Sequence, residues 1–169
     1  MHAPFSIVKS SNGRHLRIRQ VTPEERAAMI RDAVARRVAQ NCETRGCEPG
    51  HELKDWRQAE SEILRTLNCG FLVSDQSIEL STDAATFGVG EIEICLEPRH
   101  LTISGMDCNS TPETVTEPAG FMPDGHSIIR TLELPFEIDP SEVSARFKGR
   151  MIEIELPKAY PTQKAAASI

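Results

Sequence analysis

Apolar residues in the first third of the chain recur at helical spacing. Thr22, Pro23 and Glu25 carry the signals of a helix start, namely a capping residue, a proline suited to the first turn and a capping-box glutamate. The apolar stripe that follows consists of Met29, Ile30, Ala33, Val34 and Val38. This pattern predicts a helix from Thr22 to about Asn41.

A second helical series follows a turn that is rich in glycine and proline. Its apolar members are Trp56, Ala59, Ile63 and Leu67, and residues 68–70 end it with Asn, Cys and Gly. Two such helices are too small to bury a core alone. Residues 21–69 are therefore predicted to form a helical hairpin module that packs on itself, on a partner or on the rest of the chain.

At Phe71 the spacing of apolar residues changes from the 3.6-residue period of a helix to the 2-residue period of a strand. The alternating apolar positions are Ile78, Leu80, Ile92, Ile94, Leu96, Leu101, Ile103, Ile128, Leu132, Leu134, Ile152, Ile154 and Leu156. Short alternating strands between Gly, Pro and Asp turns indicate a mainly β fold, an immunoglobulin-like antiparallel β-sandwich over residues 71–158. Residues 106–125 are predicted to be a long exposed loop, in which only residues 114–116 suit a strand.

The two ends of the chain show no such periodicity. Residues 1–20 end in a basic run, Arg14 to Arg19, and are predicted to form a mobile N-terminal arm with at most a short strand. Three arginines without aromatic neighbours fall short of a basic patch, so we do not expect nucleic-acid binding. Residues 159–169 are predicted to be a C-terminal tail.

The two halves of the chain differ in net charge. Residues 1–70 carry 12 Lys and Arg against 9 Asp and Glu, a net charge of +3, whereas residues 71–169 carry 7 against 16, a net charge of -9. No apolar run exceeds four residues, which leaves no place for a membrane span or a secretory leader. We therefore expect a cytoplasmic protein that does not bind membranes.

Candidate chemistry is sparse. Five cysteines without an export signal indicate reduced thiols rather than a disulfide framework. Cys42, Cys47 and His51 lie close together but lack a fourth zinc ligand, so we predict no metal and no cofactor, and a thiol or zinc sensor is the remaining chemical alternative. Motifs for nucleophilic or metal hydrolysis are absent, and we expect no enzyme.

Three sequence blocks carry a family resemblance, at residues 91–105, 130–143 and 145–158. In their order and composition they resemble the alpha-crystallin domain of small heat shock proteins. The family's A-x-x-x-n-G-x-L signature is altered, because Arg150 stands at the glycine position and Gly149 lies one place earlier. Residues 83–86 are a second departure, since Asp-Ala-Ala-Thr replaces the frequent D-L-P-G.

The helical segment carries a separate resemblance. Residues 30–64 look like a short bacterial domain of unknown function, with its arginine-glycine, proline-glycine, tryptophan and alanine-glutamate marks. Here these are Arg45-Gly46, Pro49-Gly50, Trp56 and Ala59-Glu60. The resemblance implies a bacterial origin and a module fused to the sandwich, and it adds no activity.

The first resemblance implies an ATP-independent holdase chaperone of the stress response, which binds partly unfolded proteins through apolar grooves and strand edges. Ile92, Ile94, Ile152 and Ile154 are our candidates for lining the family's groove, and the alternative is that they are core residues. Arg130 matches the arginine that helps hold the family's subunit interface; the alternative is a solvated strand arginine.

The same resemblance bears on assembly. Residues 159–169 lack the I-x-I motif with which large oligomers dock, so we predict a homodimer or a small homo-oligomer. The arm that bacterial relatives exchange between subunits would fall within residues 106–125. The rival hypothesis is a non-chaperone adaptor that recognises one specific partner through the sandwich and the hairpin, with Trp56 as a possible partner contact. The alternative for Trp56 is a core or interhelix contact, because it lies at helical spacing with Ala59 and Ile63.

Overall fold

The computed structural model describes residues 6–11, 13–46, 49–88, 90–106 and 127–160. These residues form two α-helices, α1 (Pro23–Arg45) and α2 (Glu52–Ile63). The strands are β1 (Ser6–Ser11), β2 (Arg14–Gln20), β3 (Leu64–Thr66), β4 (Gly70–Val73), β5 (Ser77–Asp83), β6 (Gly90–Leu96), β7 (His100–Met106), β8 (Ser127–Glu133), β9 (Ser144–Lys148) and β10 (Met151–Pro157). The predicted mainly β class is confirmed. Residues 107–125 of the predicted loop and residues 161–169 of the predicted tail lie outside the described residues.

The strands form two sheets that pack face to face as a sandwich. One sheet has the strand order β1-β2-β6-β7-β8-β3 and the other has the order β4-β5-β10-β9. Alternating residues of both sheets fill a single apolar core, which includes Ile78, Leu80, Ile92, Ile94, Leu96, Leu101, Ile103, Ile152, Ile154 and Leu156. The predicted antiparallel sandwich is confirmed for these central strands. Two pairings are parallel instead, β2 with β6 and β3 with β8.

The start of α1 is confirmed in detail. Thr22 Oγ1 accepts from the Glu25 amide at 3.1 Å, and the Glu25 carboxylate accepts from the Thr22 amide at 2.8 Å. The helix runs past Asn41 to Arg45, where the Gly46 amide donates to the Cys42 carbonyl at 2.8 Å. Gly46 has a φ of 83°, a conformation that favours glycine.

Helix α2 ends earlier than its apolar spacing predicts, at Ile63 rather than near Leu67. The chain turns there into β3, which adds to the edge of β8 in parallel register. Leu67 consequently belongs to the sandwich core instead of to the helical stripe. Tertiary pairing has overridden helix continuation at this point.

The helical hairpin packs on the outer face of the six-stranded sheet. Ile129 points away from the sandwich core and joins a second apolar cluster, whose buried members from the helices are Ala33, Val34, Ala59 and Ile63. Its neighbour Ile128 points into the core, because successive strand residues face opposite sides. The hairpin therefore shows two of the three packing arrangements left open by the sequence, since its helices pack on each other and on the rest of the chain.

The two departures from the family pattern lie against each other. Gly149 has a φ of 59° in the two-residue turn that joins β9 to β10. The next residue, Arg150, accepts a 2.8 Å hydrogen bond on its carbonyl from the Ala84 amide. Ala84 begins a single 3-10 turn that the Asp83 side chain caps by accepting from the Ala85 amide. The altered turn is therefore tied to the altered loop.

The N-terminal segment differs from the predicted mobile arm. Arg14–Gln20 is strand β2, fully paired along β6, and β1 pairs with it as an antiparallel hairpin. Leu16 and Ile18 are buried in the sandwich core, which gives this strand a place in the fold. A run with only two alternating apolar residues is too short to indicate a strand from sequence alone.

Candidate protein-binding edges

Strand β4 is an end strand with an apolar surface. Within the described residues it pairs only with β5, so its other edge carries backbone groups that no described strand meets. Phe71, Leu72 and Val73 are 40%, 70% and 50% exposed. Because strand residues alternate in direction, three consecutive exposed apolar residues place apolar surface on both sides of this edge. Such an edge is a template for pairing with another chain.

A groove of about 530 Å³ lies beside this edge, across the four-stranded sheet. Phe71 and Leu72 line it, together with apolar residues such as Leu80, Ala145 and Ile154 and with five charged residues, Glu79, Arg146, Lys148, Glu153 and Glu155. The groove thus combines apolar and charged side chains.

Glu153 is the best-paired charge of this groove. It accepts from Arg146 at 2.8 Å and lies 3.4 Å from Lys148 Nζ. The hydrogen bond from Arg146, together with the Lys148 charge, lowers the pKa of the Glu153 carboxyl. Glu153 therefore stays ionised at neutral pH.

Strand β6 forms a second potential edge, and β2 covers it. The parallel register sets Leu16 beside Ile92 and Ile18 beside Ile94. Leu16 is 1% exposed and Ile18 is 7% exposed, so the inward face of β2 is part of the core. At one end of β2 the Gly90 amide donates to the Gly13 carbonyl at 3.0 Å, and at the other the Val21 amide donates to Leu96 at 3.0 Å.

The opposite face of β2 is held by charge. Arg17 Nη1 lies 3.3 Å from Glu91 Oε1, and Arg19 forms a hydrogen-bonded ion pair with Glu93. Partial burial disfavours the Arg19 charge, but the hydrogen bond and charge of Glu93 outweigh that effect, and the pKa of Arg19 is raised. Basic strand β2 thus matches an acidic face of β6.

A third ion pair continues this series past the end of β2. Arg26 in the first turns of α1 lies 2.9 Å from Glu97, whose side chain is only 4% exposed. A carboxylate buried to this degree needs a cationic partner, because desolvation of an unpaired charge is costly. Glu97 therefore ties the start of α1 to the turn between β6 and β7.

The Cys95 thiol lies within this charged layer. It donates to Glu93 Oε1 at 3.2 Å, and burial together with the Glu93 charge raises its pKa to about 12. The thiol is therefore protonated at neutral pH and is a poor nucleophile. Cys69 is also free, whereas Cys42 is disulfide-bonded, so the expectation of reduced thiols is wrong for Cys42.

The four groove candidates are core residues in this structure. Ile92, Ile94 and Ile152 are 0% exposed and Ile154 is 1% exposed. None of them is open to a client in this arrangement, since β2 covers the β6 pair and β5 and β9 flank the β10 pair. Their contact with clients stays a prediction.

Arg130 joins the helical hairpin to the sheet. Its guanidinium donates to the Ile63 carbonyl at 3.0 Å and to the Ile129 carbonyl at 3.2 Å. Ile63 is the last residue of α2, where a cation also complements the helix dipole. Its predicted role at a subunit interface stays a prediction beside this contact within the chain.

Trp56 is half-buried and packs against the cluster between the helices and β8. The indole therefore contributes to packing, and its contact with a partner stays a prediction. Of the weak zinc candidates, Cys47 lies outside the described residues. Across the part of the chain that the structure describes, no three metal-ligating side chains converge. No helix in that part is long and apolar enough to cross a membrane.

The charged pairing between β2 and β6 was not predicted from the sequence. Arginines alternate with Leu16 and Ile18 in one strand, and Glu91 and Glu93 alternate with isoleucines in the other. One strand has basic residues at every second position and the other has acidic residues at every second position. This charge pattern is the sequence signal that could have indicated the pairing.

Comparison with known proteins finds two similarities. A family described as a protein of unknown function (DUF2934) matches residues 43–65, within the segment predicted to resemble such a domain. No curated protein matches the chain.

Solved structures of small heat shock proteins are similar to the chain, as the predicted resemblance led us to expect. Heat shock protein 16.0 from Schizosaccharomyces pombe is 17% identical, with a TM-score of 0.43, over 59% of this chain and 92% of that one. HspA from Xanthomonas axonopodis is 18% identical, with a TM-score of 0.41, over 56% and 95%. A small heat-shock protein from Xylella fastidiosa is 18% identical, with a TM-score of 0.41, over 59% and 91%.

Proposed function

We propose that this protein is an ATP-independent holdase that binds partly unfolded chains and limits their aggregation. The observation that carries the proposal is the edge of β4, where Phe71, Leu72 and Val73 are exposed next to strand backbone that no described strand meets. An unfolded segment can add there as an extra strand, and backbone hydrogen bonds make such addition tolerant of sequence.

The groove beside β4 supports the same proposal. Its apolar side chains suit the apolar side chains that unfolded chains expose, and its charged side chains keep the surrounding surface hydrated. A soluble protein usually blunts an edge of this kind with charges or a covering element. Its retention here favours a binding role.

The proposal includes a setting for this activity. The protein acts in the bacterial cytoplasm during protein-unfolding stress, as a homodimer or small homo-oligomer, without catalysis and without a cofactor. The sequence blocks shared with the alpha-crystallin domain support the holdase class, and the charge of -6 supports a hydrated surface.

Light scattering tests the proposal. Two unrelated proteins are held at their unfolding temperatures, without ATP, with and without the folded chain. We expect suppression near equimolar subunit ratios. The variant Leu72→Lys should lose much of it, because a lysine blocks strand addition at the edge.

Leu53→Lys is the matched control, since Leu53 is 65% exposed and lies on helix α2 rather than in a strand. It should suppress as the wild type does. Failure of the folded wild-type chain to protect either substrate would overturn the proposal. Capture of a single specific partner by such a chain would support the adaptor hypothesis instead.

A further inference from the structure

We infer that the outer face of the four-stranded sheet, in the groove beside β4, selects a basic side chain of the bound segment. The occupant is a lysine or arginine of an unfolded chain, with its aliphatic stem on Leu72 and its charge at Glu79 and Glu155. This inference deepens the proposed function, and it rests on that function for the nature of the bound chain.

One row of side chains leads across this face from the edge of β4. In the strand registers Leu72 lies beside Glu79 of β5, and Glu79 lies beside Glu155 of β10. Their neighbours Leu80 and Ile154 belong to the core, so these three side chains point to the outer face. All three line the groove. The row thus starts with an exposed apolar side chain and continues with two carboxylates.

The next row along the strands leaves room beside Leu72. It begins with Gly70, which has no side chain, and continues with the short side chain of Ser81 in β5. A strand added at the edge of β4 would lie about 9.6 Å from β5, which is two strand spacings. Only a long side chain crosses that span, and Gly70 leaves its path over β4 open.

The charges of the groove are unevenly compensated. Glu153 is paired with Arg146 and lies near Lys148. Within the described parts of the chain, by contrast, the side chains of Glu79 and Glu155 have no ion pair or hydrogen bond. Like charges directly opposite each other on neighbouring strands are destabilising. A cation placed between these two carboxylates would remove that repulsion.

A lysine or arginine side chain meets both requirements of the groove. Its carbon stem packs along apolar surface while its charged end stays hydrated, and Leu72 is 70% exposed at the entrance. Its charged end donates charge-assisted hydrogen bonds to carboxylates. An acidic side chain would instead add a third negative charge. The net charge of -9 over residues 71–169 favours a basic segment in the same sense.

Fluorescence anisotropy with labelled peptides tests the inference. The probe is a short peptide of alternating valine and threonine with one central arginine, and two comparison peptides have glutamine or glutamate at that position. The full chain is used as wild type, as E79Q/E155Q and as the control E43Q/E60Q. The control makes the same change at two exposed glutamates, one in each helix.

We expect the wild type to bind the arginine peptide about threefold to fivefold more tightly than the glutamine peptide, as exposed ion pairs allow. It should bind the glutamate peptide most weakly, and the control should behave in the same way. E79Q/E155Q should bind all three peptides equally. Equal binding of the three peptides by the wild type would overturn the inference, and so would an arginine preference in folded E79Q/E155Q.

Two measurements separate this role from a role in folding. E79Q/E155Q removes two facing charges, so it should be at least as stable as the wild type in urea. A clear loss of stability would show that the carboxylates serve the fold, and it would overturn the inference. The reversed variant E79K/E155K should prefer the glutamate peptide. A folded E79K/E155K protein that still prefers the arginine peptide would contradict the inference.

The same assay identifies other occupants of the groove. Lys164 is the one basic residue of residues 161–169. If this segment occupied the groove, K164Q would bind the arginine peptide more tightly than the wild type. If a second copy of the chain occupied it, E79Q/E155Q would form smaller oligomers than the wild type in sedimentation equilibrium. We expect neither change, and either one would overturn the inference.

Peptide preference and aggregation are separate measurements, which keeps the two proposals distinguishable. An arginine preference without suppression of aggregation would support the selective groove and overturn the holdase proposal. Suppression of aggregation without an arginine preference would do the reverse.

Discussion

Leu16→Ala tests the claim that the N-terminal segment is part of the sandwich. Leu16 is 1% exposed and packs in the main core, beside Ile92 in the parallel register. Removal of three buried carbons costs the lost transfer energy and leaves a cavity, and Leu→Ala changes in cores typically cost about 2–5 kcal/mol. If this segment were a mobile arm, the substitution would not lower the free energy of unfolding.

The expected magnitude lies in the lower half of that range. Leu16 belongs to an edge strand, which can shift toward the cavity more easily than a central strand, so we expect about 2–3 kcal/mol. For a chain of this size the midpoint of thermal unfolding should fall by about 4–12 °C. The matched control is Leu53→Ala, since Leu53 is 65% exposed on α2. It should change stability by less than about 0.5 kcal/mol.

Urea denaturation measures both variants. The midpoint of Leu16→Ala should fall at an unchanged m-value, because the same surface is exposed on unfolding. A loss below about 0.5 kcal/mol, equal to that of the control, would refute the packing of β2 and the covered edge of β6.

Three further predictions concern single contacts. Gly105→Ala should destabilise the fold by about 1–3 kcal/mol in urea, because a Cβ would lie 2.8 Å from the Phe87 ring; a neutral change would contradict this packing. At pH 8, Cys95 should not react with iodoacetamide until the protein unfolds, whereas half-exposed Cys69 should react sooner. Peptide mass mapping measures both rates, and equal rates would contradict the raised pKa of Cys95. Arg130→Met should cost about 1 kcal/mol because the buried Ile63 carbonyl at the end of α2 loses this donor, and no loss of stability would contradict the importance of this contact.

The Cys95 thiol also gives stability a defined dependence on alkaline pH. Its pKa is raised from 9.0 to about 12 in the folded chain, so the unfolded chain releases this proton first. The contribution of Cys95 is therefore constant below pH 9 and is lost as the pH rises from 9 toward 12. Cys95→Ala should flatten that part of a urea stability profile, and an unchanged slope would contradict the assignment.

Strong periodicity made most of the fold predictable from the sequence. The capping box at Thr22 and Glu25 located the start of α1, and long alternations located the central strands. Short strands at the sheet edges were not predictable in the same way. β2 has two apolar residues and β3 has three residues in all, and their pairing depends on distant partners rather than on local pattern.

The binding surfaces were less accessible to sequence reasoning than the fold. Alternation identifies Ile92 and Ile94 as facing one side of a strand, but it does not show whether that side is core or groove. Strand β2, which covers these two isoleucines, lies more than seventy residues away in the chain. Phe71, Leu72 and Val73 form an apolar run with no period, and only the sheet order reveals that they lie at an edge.

The most direct test compares aggregation suppression by the wild type, by Leu72→Lys and by Leu53→Lys, without ATP and against two unrelated unfolding substrates. We expect the wild type and Leu53→Lys to suppress aggregation of both substrates, and Leu72→Lys to lose much of that suppression, because a lysine blocks strand addition at the edge of β4. Three identical suppression curves, or no suppression by any folded variant, would contradict the holdase proposal.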